Sequence, residues 1–403
     1  MINNLITINE RAYKSVLFKI YAYKFFAWFH MFSAIIIPFF TEWAHLSILE
    51  FMLLESWCML CMFIFEIPTG GIADYIGRKN TLQIGLLIQA IGFGVYVSMP
   101  NFYIYMLGEA IVALGFSLTS GAEEAFIYDT LKSFDKESES KKVFGRAESF
   151  GLAGIMTGAP FGSLLAQNMG LQYPMLFMFI PFAVAFVLLV LLKESKVKGS
   201  KHEKRSYIEI VKKGTLIFYK HGVLKILAAD LVLISTMGFL MIWLYQLMLK
   251  EAGVNLLFFG LVNTCIIITE IILLNSYIKL EKLLKSKKRL IFLSALLIGV
   301  MFIIGSLTRY MPVVILVILT VCSFAMTRRT LMVNYMNKYI PSEERATVLS
   351  SISMLISFGK MLFFPLVGFF IEKISLSVVL MSLGIITLIF AFISKVEEEH
   401  LVD

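Results

Sequence analysis

Apolar residues in this chain come in long unbroken stretches, neither alternating as in a strand nor confined to one helical face. They occupy about 15–39, 46–70, 82–98, 101–126, 145–167 and 171–192, then about 224–248, 254–278, 290–307, 312–335, 346–371 and 375–394. Each approaches or exceeds the roughly 20 residues that carry a helix across a bilayer. The pattern predicts an all-α polytopic membrane protein of about twelve transmembrane helices. A membrane β-barrel is excluded, because its strands would alternate polar and apolar positions. Between the two sets lies a basic polar stretch containing Lys196, Lys198, Lys201, Lys204, Arg205, Lys212 and Lys213. The expected organisation is a six-helix bundle over 1–192, a basic linker with an interfacial amphipathic helix over 193–223, and a second six-helix bundle with a short tail over 224–403.

Composition agrees with this and narrows it. Of 403 residues, 59% are hydrophobic and 16% charged, which leaves no soluble core for an enzyme merely anchored to a membrane. The net charge of +8 matters through its placement. With the N-terminus inside, the outer loops hold only Lys250, Arg309 and Lys373 as basic residues. The inner loops then hold Arg78, Lys79, the Lys132–Lys142 stretch, the linker and Lys282–Arg289. The positive-inside rule therefore puts both termini in the cytoplasm, and the expected location is the cell membrane. Met1 to Arg11 is polar and lacks a signal-peptide cleavage pattern. Cys58, Cys61, Cys265 and Cys322 all lie in apolar runs. Cys58 and Cys61 sit mid-helix with no second pair at ligand spacing, so they read as buried thiols and no metal site is expected.

One loop carries a motif. Gly70-Gly-Ile-Ala-Asp74-Tyr-Ile-Gly77-Arg78-Lys79, closing at Leu82, falls between the second and third runs. It resembles the signature loop of the major facilitator superfamily, with Ile72 in place of the usual Leu. The corresponding loop of the second half, Lys279 to Arg289, keeps basic residues but lacks the Gly and Asp framework. The resemblance implies two six-helix bundles that rock around a midplane site. It also implies that Asp74 meets Arg345 at the start of the eleventh helix as a cytoplasmic latch, and that Arg78 pairs with Asp129. Gly154-x-x-x-Gly158-Ala159-Pro160-Phe161-Gly162 looks like the glycine–proline motif of the superfamily's antiporters, although Ala159 separates the Gly and Pro that usually adjoin. A plain small-residue packing face explains these residues equally well. Glu66-Ile-Pro-Thr-Gly70 and Ser120-Gly-Ala-Glu123-Glu124 resemble a branch of drug or metabolite transporters.

Ionisable residues at bilayer depth are functional candidates because each costs about 2.5–3.5 kcal/mol or more to place there. Lys24, His30, Glu55, Glu109, Asp230, Glu270, Arg328, Arg329 and Lys360 qualify. The resemblance places the first, fourth, seventh and tenth helices around the cavity, which selects Lys24, His30, Glu109, Asp230, Arg328 and Arg329. Glu109, roughly 12 Å deep at 1.5 Å per residue, is the leading candidate for proton exchange; pairing with Lys24 or an arginine is its alternative. His30 reads either as a titrating group or as a hydrogen-bonded neighbour of Trp28 and Phe29. Glu55 and Lys360 are expected to pair between the bundles. Asp230, Arg328 and Arg329 lie near helix ends and can reach the interface by snorkelling. Glu270 has no nameable partner.

No Gly-x-x-x-x-Gly-Lys-Ser/Thr loop occurs, so no ATP site is expected. The five histidines, His30, His45, His202, His221 and His400, have no metal-ligand spacing. The expected protein is not an enzyme and needs no cofactor beyond a proton gradient. It is read as a secondary transporter that exports amphiphilic or drug-like molecules by alternating access. The alternative is a proton symporter importing a small metabolite, for instance an anion drawn by Lys24 and Arg328; a non-transporting receptor or sensor and a membrane-embedded enzyme rank below both. Its partners are expected to be a small-molecule substrate and membrane lipid, without nucleic acid, and it is expected to act as a monomer.

Overall fold

The computed structural model describes residues 2–192, 221–340 and 345–401. Twelve principal helices carry these residues: α1 (Ile2–Ala27), α2 (Ile48–Ile76), α3 (Arg78–Tyr96), α4 (Phe102–Lys132), α5 (Ser140–Met169) and α6 (Phe179–Val190), then α7 (Gly222–Glu251), α8 (Phe259–Leu284), α9 (Lys287–Leu307), α10 (Met311–Met336), α11 (Arg345–Lys373) and α12 (Leu376–Ile393). Among the described residues there is no strand. Ten spans are long and apolar enough to cross a membrane, and their outward faces carry large apolar side chains such as Ile272, Leu283 and Phe392. A surface of that kind is stable only against lipid. Most of the basic linker, 193–220, lies outside the described residues.

Helix starts follow local chemistry. The Asn101 side chain accepts from the backbone N–H groups of Tyr103 and Ile104 at the start of α4, and Ser286 and Ser375 cap α9 and α12 in the same way. Gly77 separates α2 from α3 at φ +91°, a conformation that side-chain-bearing residues rarely adopt.

The chain forms two compact units. The first comprises Met1–Leu46, Trp57–Glu203 and Leu256–Thr264; the second comprises Ser47–Ser56, Lys204–Asn255 and Cys265–Asp403. In the second, Leu224, Leu227 and Leu231 of α7 pack with Met332 and Met336 of α10 and with Val348, Ile352 and Ile356 of α11. The tail joins this core through Val396 and Leu401. The Glu398 carboxylate accepts from the backbone N–H groups of Lys287 and Lys288 at 2.8 and 2.9 Å, so the tail caps α9.

The first apolar run, expected as one helix, is broken. Helix α1 stops at Ala27, residues 28–35 form successive turns, and a short helical piece follows at Ile36–Pro38. Glycines on α5 make room for this segment and the turn before it. A Cβ added to Gly154 would come within 2.3 Å of the Phe25 carbonyl oxygen. One on Gly158 would meet the His30 nitrogen at 2.8 Å, and one on Gly162 the Met31 oxygen at 1.8 Å. The glycine stripe therefore admits backbone where a helix would otherwise need side-chain clearance. The sixth run is also divided, into Gln172–Leu176 and α6.

Two helices contain an internal proline, Pro160 in α5 and Pro365 in α11. Proline lacks an N–H, so each leaves the carbonyl four residues earlier without its helical donor. In the first unit the Thr264 hydroxyl donates to the Met156 carbonyl at 2.7 Å. In the second the Ser56 hydroxyl donates to the Met361 carbonyl at 3.0 Å. Each orphaned carbonyl is thus satisfied by a hydroxyl on another helix.

Two expectations follow. Thr264→Val destabilises the purified protein by about 0.6 kcal/mol in thermal unfolding, the usual size of a side-chain hydrogen bond within a membrane bundle. In a Pro160→Ala background, where the restored N–H satisfies Met156, the same substitution has no further effect; equal losses in both backgrounds would refute the assignment. The α9 cap is pH-sensitive, because Ser286 and the backbone N–H groups of Lys287 and Lys288 outweigh desolvation and hold the Glu398 carboxyl below its usual range. Its contribution is present above the unfolded carboxylate value and is lost as pH falls through the lower folded value. Amide exchange over 396–401 accelerates across that acid window, and Glu398→Gln abolishes the dependence.

Candidate functional site

The break after α1 places a polar cluster in the interior of the first unit. Lys24, 3% exposed, lies in the last turn of α1 and points toward α4 and α5. Its Nζ is 2.5 Å from Glu123 Oε2 on α4 and 3.0 Å from Glu148 Oε1 on α5. Tyr23, one residue earlier, is buried with its hydroxyl near Glu123. Lys24 Nζ also stands 5.0 Å from the ring of Trp28, a cation–π contact from one turn further along. Gly151 of α5 makes room for the lysine stem: a Cβ there would touch Lys24 Cε at 3.2 Å.

His30 lies within the break itself. Its ring stacks on Trp28, tilts against Phe32 and meets Phe116 edge-on, at centroid distances of 5.3, 4.9 and 6.3 Å. Its Nε2 is buried and has no hydrogen-bond partner among the described residues. The cluster therefore combines two carboxylates, one ammonium, an aromatic wall and one unused imidazole nitrogen. The formal balance of Lys24 with Glu123 and Glu148 is one net negative charge.

Glu109 stands apart from this cluster, although 14 residues, nearly four helical turns, put it on the same side of α4 as Glu123. It is buried, with Cys58 and Tyr96 as its polar neighbours. Its alternative as a partner of Lys24 is not realised. No ion pair holds Glu109 among the described residues.

The second unit holds a separate charge network. Arg328, 1% exposed, pairs with Asp230 and donates to the Ile291 carbonyl at 2.7 Å and to Ser294 Oγ at 2.5 Å. The Ser394 hydroxyl donates to the other Asp230 oxygen at 2.8 Å. Neither Asp230 nor Arg328 snorkels to the interface: a buried pair whose remaining groups are also bonded tolerates the interior. Arg329, exposed and about 100° further round α10, reaches Ser353 Oγ at 3.2 Å. Lys360 and Glu55 do not pair. Lys360 Nζ instead lies 3.1 Å from the Phe239 ring centroid, and Glu55 is buried with other partners. Glu270 is half-buried and has no hydrogen-bond or ion-pair partner among the described residues.

At the motif loop, Arg78 pairs with Asp129 and donates to the Ala125 carbonyl at 2.9 Å. Lys79 donates to the Leu192 carbonyl at 2.7 Å and so fixes the end of α6. The side chains of Asp74 and Arg345 lie outside the described residues, as does the contact expected between them. Gly154, Gly158 and Gly162 form the stripe under the α1 break, and Pro160 frees the carbonyl that Thr264 takes.

Glu148 is the site residue that sequence reasoning misses. It lies in Arg146-Ala-Glu148-Ser149, at the edge of an apolar run, and reads as a helix-end charge. Glu123 enters the sequence reading only within a family resemblance. Their roles depend on Lys24, which is distant in sequence.

Lys24→Met is expected to lower unfolding stability by about 3 kcal/mol, since it leaves a buried carboxylate without its cation. Lys24→Met with Glu123→Gln recovers most of that loss in a thermal unfolding assay. Additive losses would mean that the two groups do not depend on each other.

A family model described as the Major Facilitator Superfamily matches residues 20–328. The vesicular acetylcholine transporter of Drosophila melanogaster is 25% identical over 136 residues, 34% of this chain and 23% of that protein. An uncharacterized transporter of Buchnera aphidicola subsp. Schizaphis graminum (strain Sg) is 28% identical over 161 residues, 39% of this chain and 38% of that protein. This chain therefore matches well under half the length of these curated relatives. A crystal structure of the nucleoside transporter NupG superimposes with a TM-score of 0.74 at 14% identity, covering 94% of this chain and 97% of the other. A bacterial homolog of the human lysosomal transporter Spinster, in an inward-facing and occupied conformation, gives 0.71 at 13% identity over 98% of each chain. These likenesses concern the fold. With the matched span, the apolar helices and the motif loop together, this chain belongs to the Major Facilitator Superfamily.

Proposed function

We propose that the chain is a proton-coupled secondary exporter of cationic amphiphilic molecules, working as a single chain by alternating access. One observation carries the reading: Lys24 is shared by Glu123 and Glu148 beside an aromatic wall. Glu123, 14% exposed, stays with the lysine, whereas Glu148, 69% exposed, is the carboxylate that an incoming cation can reach. An organic cation there restores neutrality and meets Trp28, Phe116 and the free Nε2 of His30. Glu109 supplies the proton site on the same helix as Glu123. A proton bound there from one side and released on the other drives the exchange, with no cofactor required.

The alternative, import of an anion, relied on Lys24 and Arg328 as the attracting charges. Lys24 faces two carboxylates and Arg328 faces Asp230, so neither offers an uncompensated charge to an anion. One relative is named for acetylcholine, which is itself an organic cation. The basic inner loops favour a cell-membrane protein with both termini in the cytoplasm.

The test uses inside-out vesicles with an acid lumen and a ΔpH dye. Cationic amphiphiles collapse the gradient, whereas neutral and anionic ones leave it intact. Glu148→Gln loses the response by failing to bind the cation. Glu109→Gln loses proton movement but still exchanges labelled cation against unlabelled. Collapse by anions alone, or wild-type behaviour in both variants, would refute the proposal.

A further inference from the structure

A groove of about 280 Å³ runs between α7 and α12 within the second unit. Its walls are apolar, formed by Ile226, Leu233, Phe390 and Ile393, and exposed Ala229 leaves it shallow on one side. One end is polar: Asp230, Ser394 and Lys395. A smaller chamber of about 60 Å³ shares Asp230 and Ser394 with the groove and is also lined by Lys288 and Arg328.

The charges at this end are unevenly compensated. Both Asp230 oxygens are occupied, one by Arg328 and the other by Ser394. Lys288 pairs with Glu397. Lys395 is exposed at the mouth and makes no ion pair or hydrogen bond among the described residues. Behind it, Arg328 is almost wholly buried, yet its Nε has no acceptor. A buried donor without a partner is costly, so its presence beside an apolar groove points to a ligand atom. What remains free is one exposed cation and one buried N–H, both at the same end.

We infer that this groove binds one anionic phospholipid, with an acyl chain along α7 and α12, its phosphate charge met by Lys395 and one of its oxygens accepting from the free Arg328 Nε–H. The complementarity is specific. A zwitterionic head brings its own cation toward Lys395, and a soluble phosphate leaves the apolar wall uncovered. Lys288 and Lys395 stand at the end of the bundle that the positive-inside rule assigns to the cytoplasm, where the leaflet is rich in anionic lipid. The site does not depend on the direction or coupling of transport.

Native mass spectrometry of the full chain, released from nanodiscs of mixed phosphatidylglycerol and phosphatidylcholine, tests the inference. One phosphatidylglycerol is retained per chain. Lys395→Gln lowers retention about fivefold, the effect of one lysine at a charged membrane surface. Ala229→Trp, which fills the groove without touching its polar end, lowers it as well. Should that variant fail to insert, the exposed Lys395 position carries the test alone. Equal retention of phosphatidylcholine, unchanged retention in Lys395→Gln, or displacement by inorganic phosphate would overturn the assignment. A mass of two chains in place of chain plus lipid would seat a second copy in the groove and overturn it too.

Discussion

Every backbone N–H and C=O inside a bilayer must find a partner within the protein, and much of this structure follows from that constraint. Ten long apolar helices meet it internally. The interesting places are those where the helix cannot. Residues 28–35 leave the helical path, and their groups are taken up by short-range bonds such as His30 N–H to Trp28 O at 2.8 Å and Met31 N–H to Phe29 O at 3.1 Å. Such a segment survives only when shielded, and the glycine stripe of α5 lies directly against it. Where α1 ends there, the His30 ring lies between Trp28 and Phe116. The candidate site is thus a consequence of how the backbone is sheltered.

Charge obeys the same economy of partners. Lys24 and Arg328 are both nearly fully buried, and each is surrounded by acceptors from other helices. The two differ in what is left over. At Arg328 a single carboxylate balances the guanidinium, so the network is neutral and suits a structural role in holding α7, α9, α10 and the tail. At Lys24 a second carboxylate is present and exposed. A surplus charge that a ligand can reach is what separates a binding site from a structural pair.

The sequence made the all-α polytopic fold and the motif loop legible, because long apolar runs and a loop at fixed spacing are local signals. The α1 break was not legible. Trp28 to Ile35 is largely apolar like its surroundings, and the glycines that admit its backbone lie more than a hundred residues later. Intramembrane charge located Lys24, Glu109, Asp230 and Arg328, but did not assign their partners. Glu55 with Lys360 was plausible by helix adjacency; the structure places an aromatic ring against the lysine instead. Glu148 escaped notice because its environment in the chain is ordinary, and only the fold brings it to Lys24.

The two prolines extend the argument to the repeat. In sequence the second half has lost the glycines and aspartate of the motif loop, so internal symmetry is faint at the level of residues. It persists at the level of an unmet carbonyl. Pro160 frees Met156, which Thr264 satisfies, and Pro365 frees Met361, which Ser56 satisfies. The residues differ, and the donors come from α8 and α2, the second helix of each set of six. A Gly also approaches closely in each case: Gly260 would meet Pro160, and Gly368 would meet Leu49 and Met52, if either bore a Cβ. The repeated element is a proline-broken helix whose free carbonyl is closed by a hydroxyl from a partner helix. Thr and Ser are interchangeable in that role, so the physical device outlasts the sequence identity that would have revealed it.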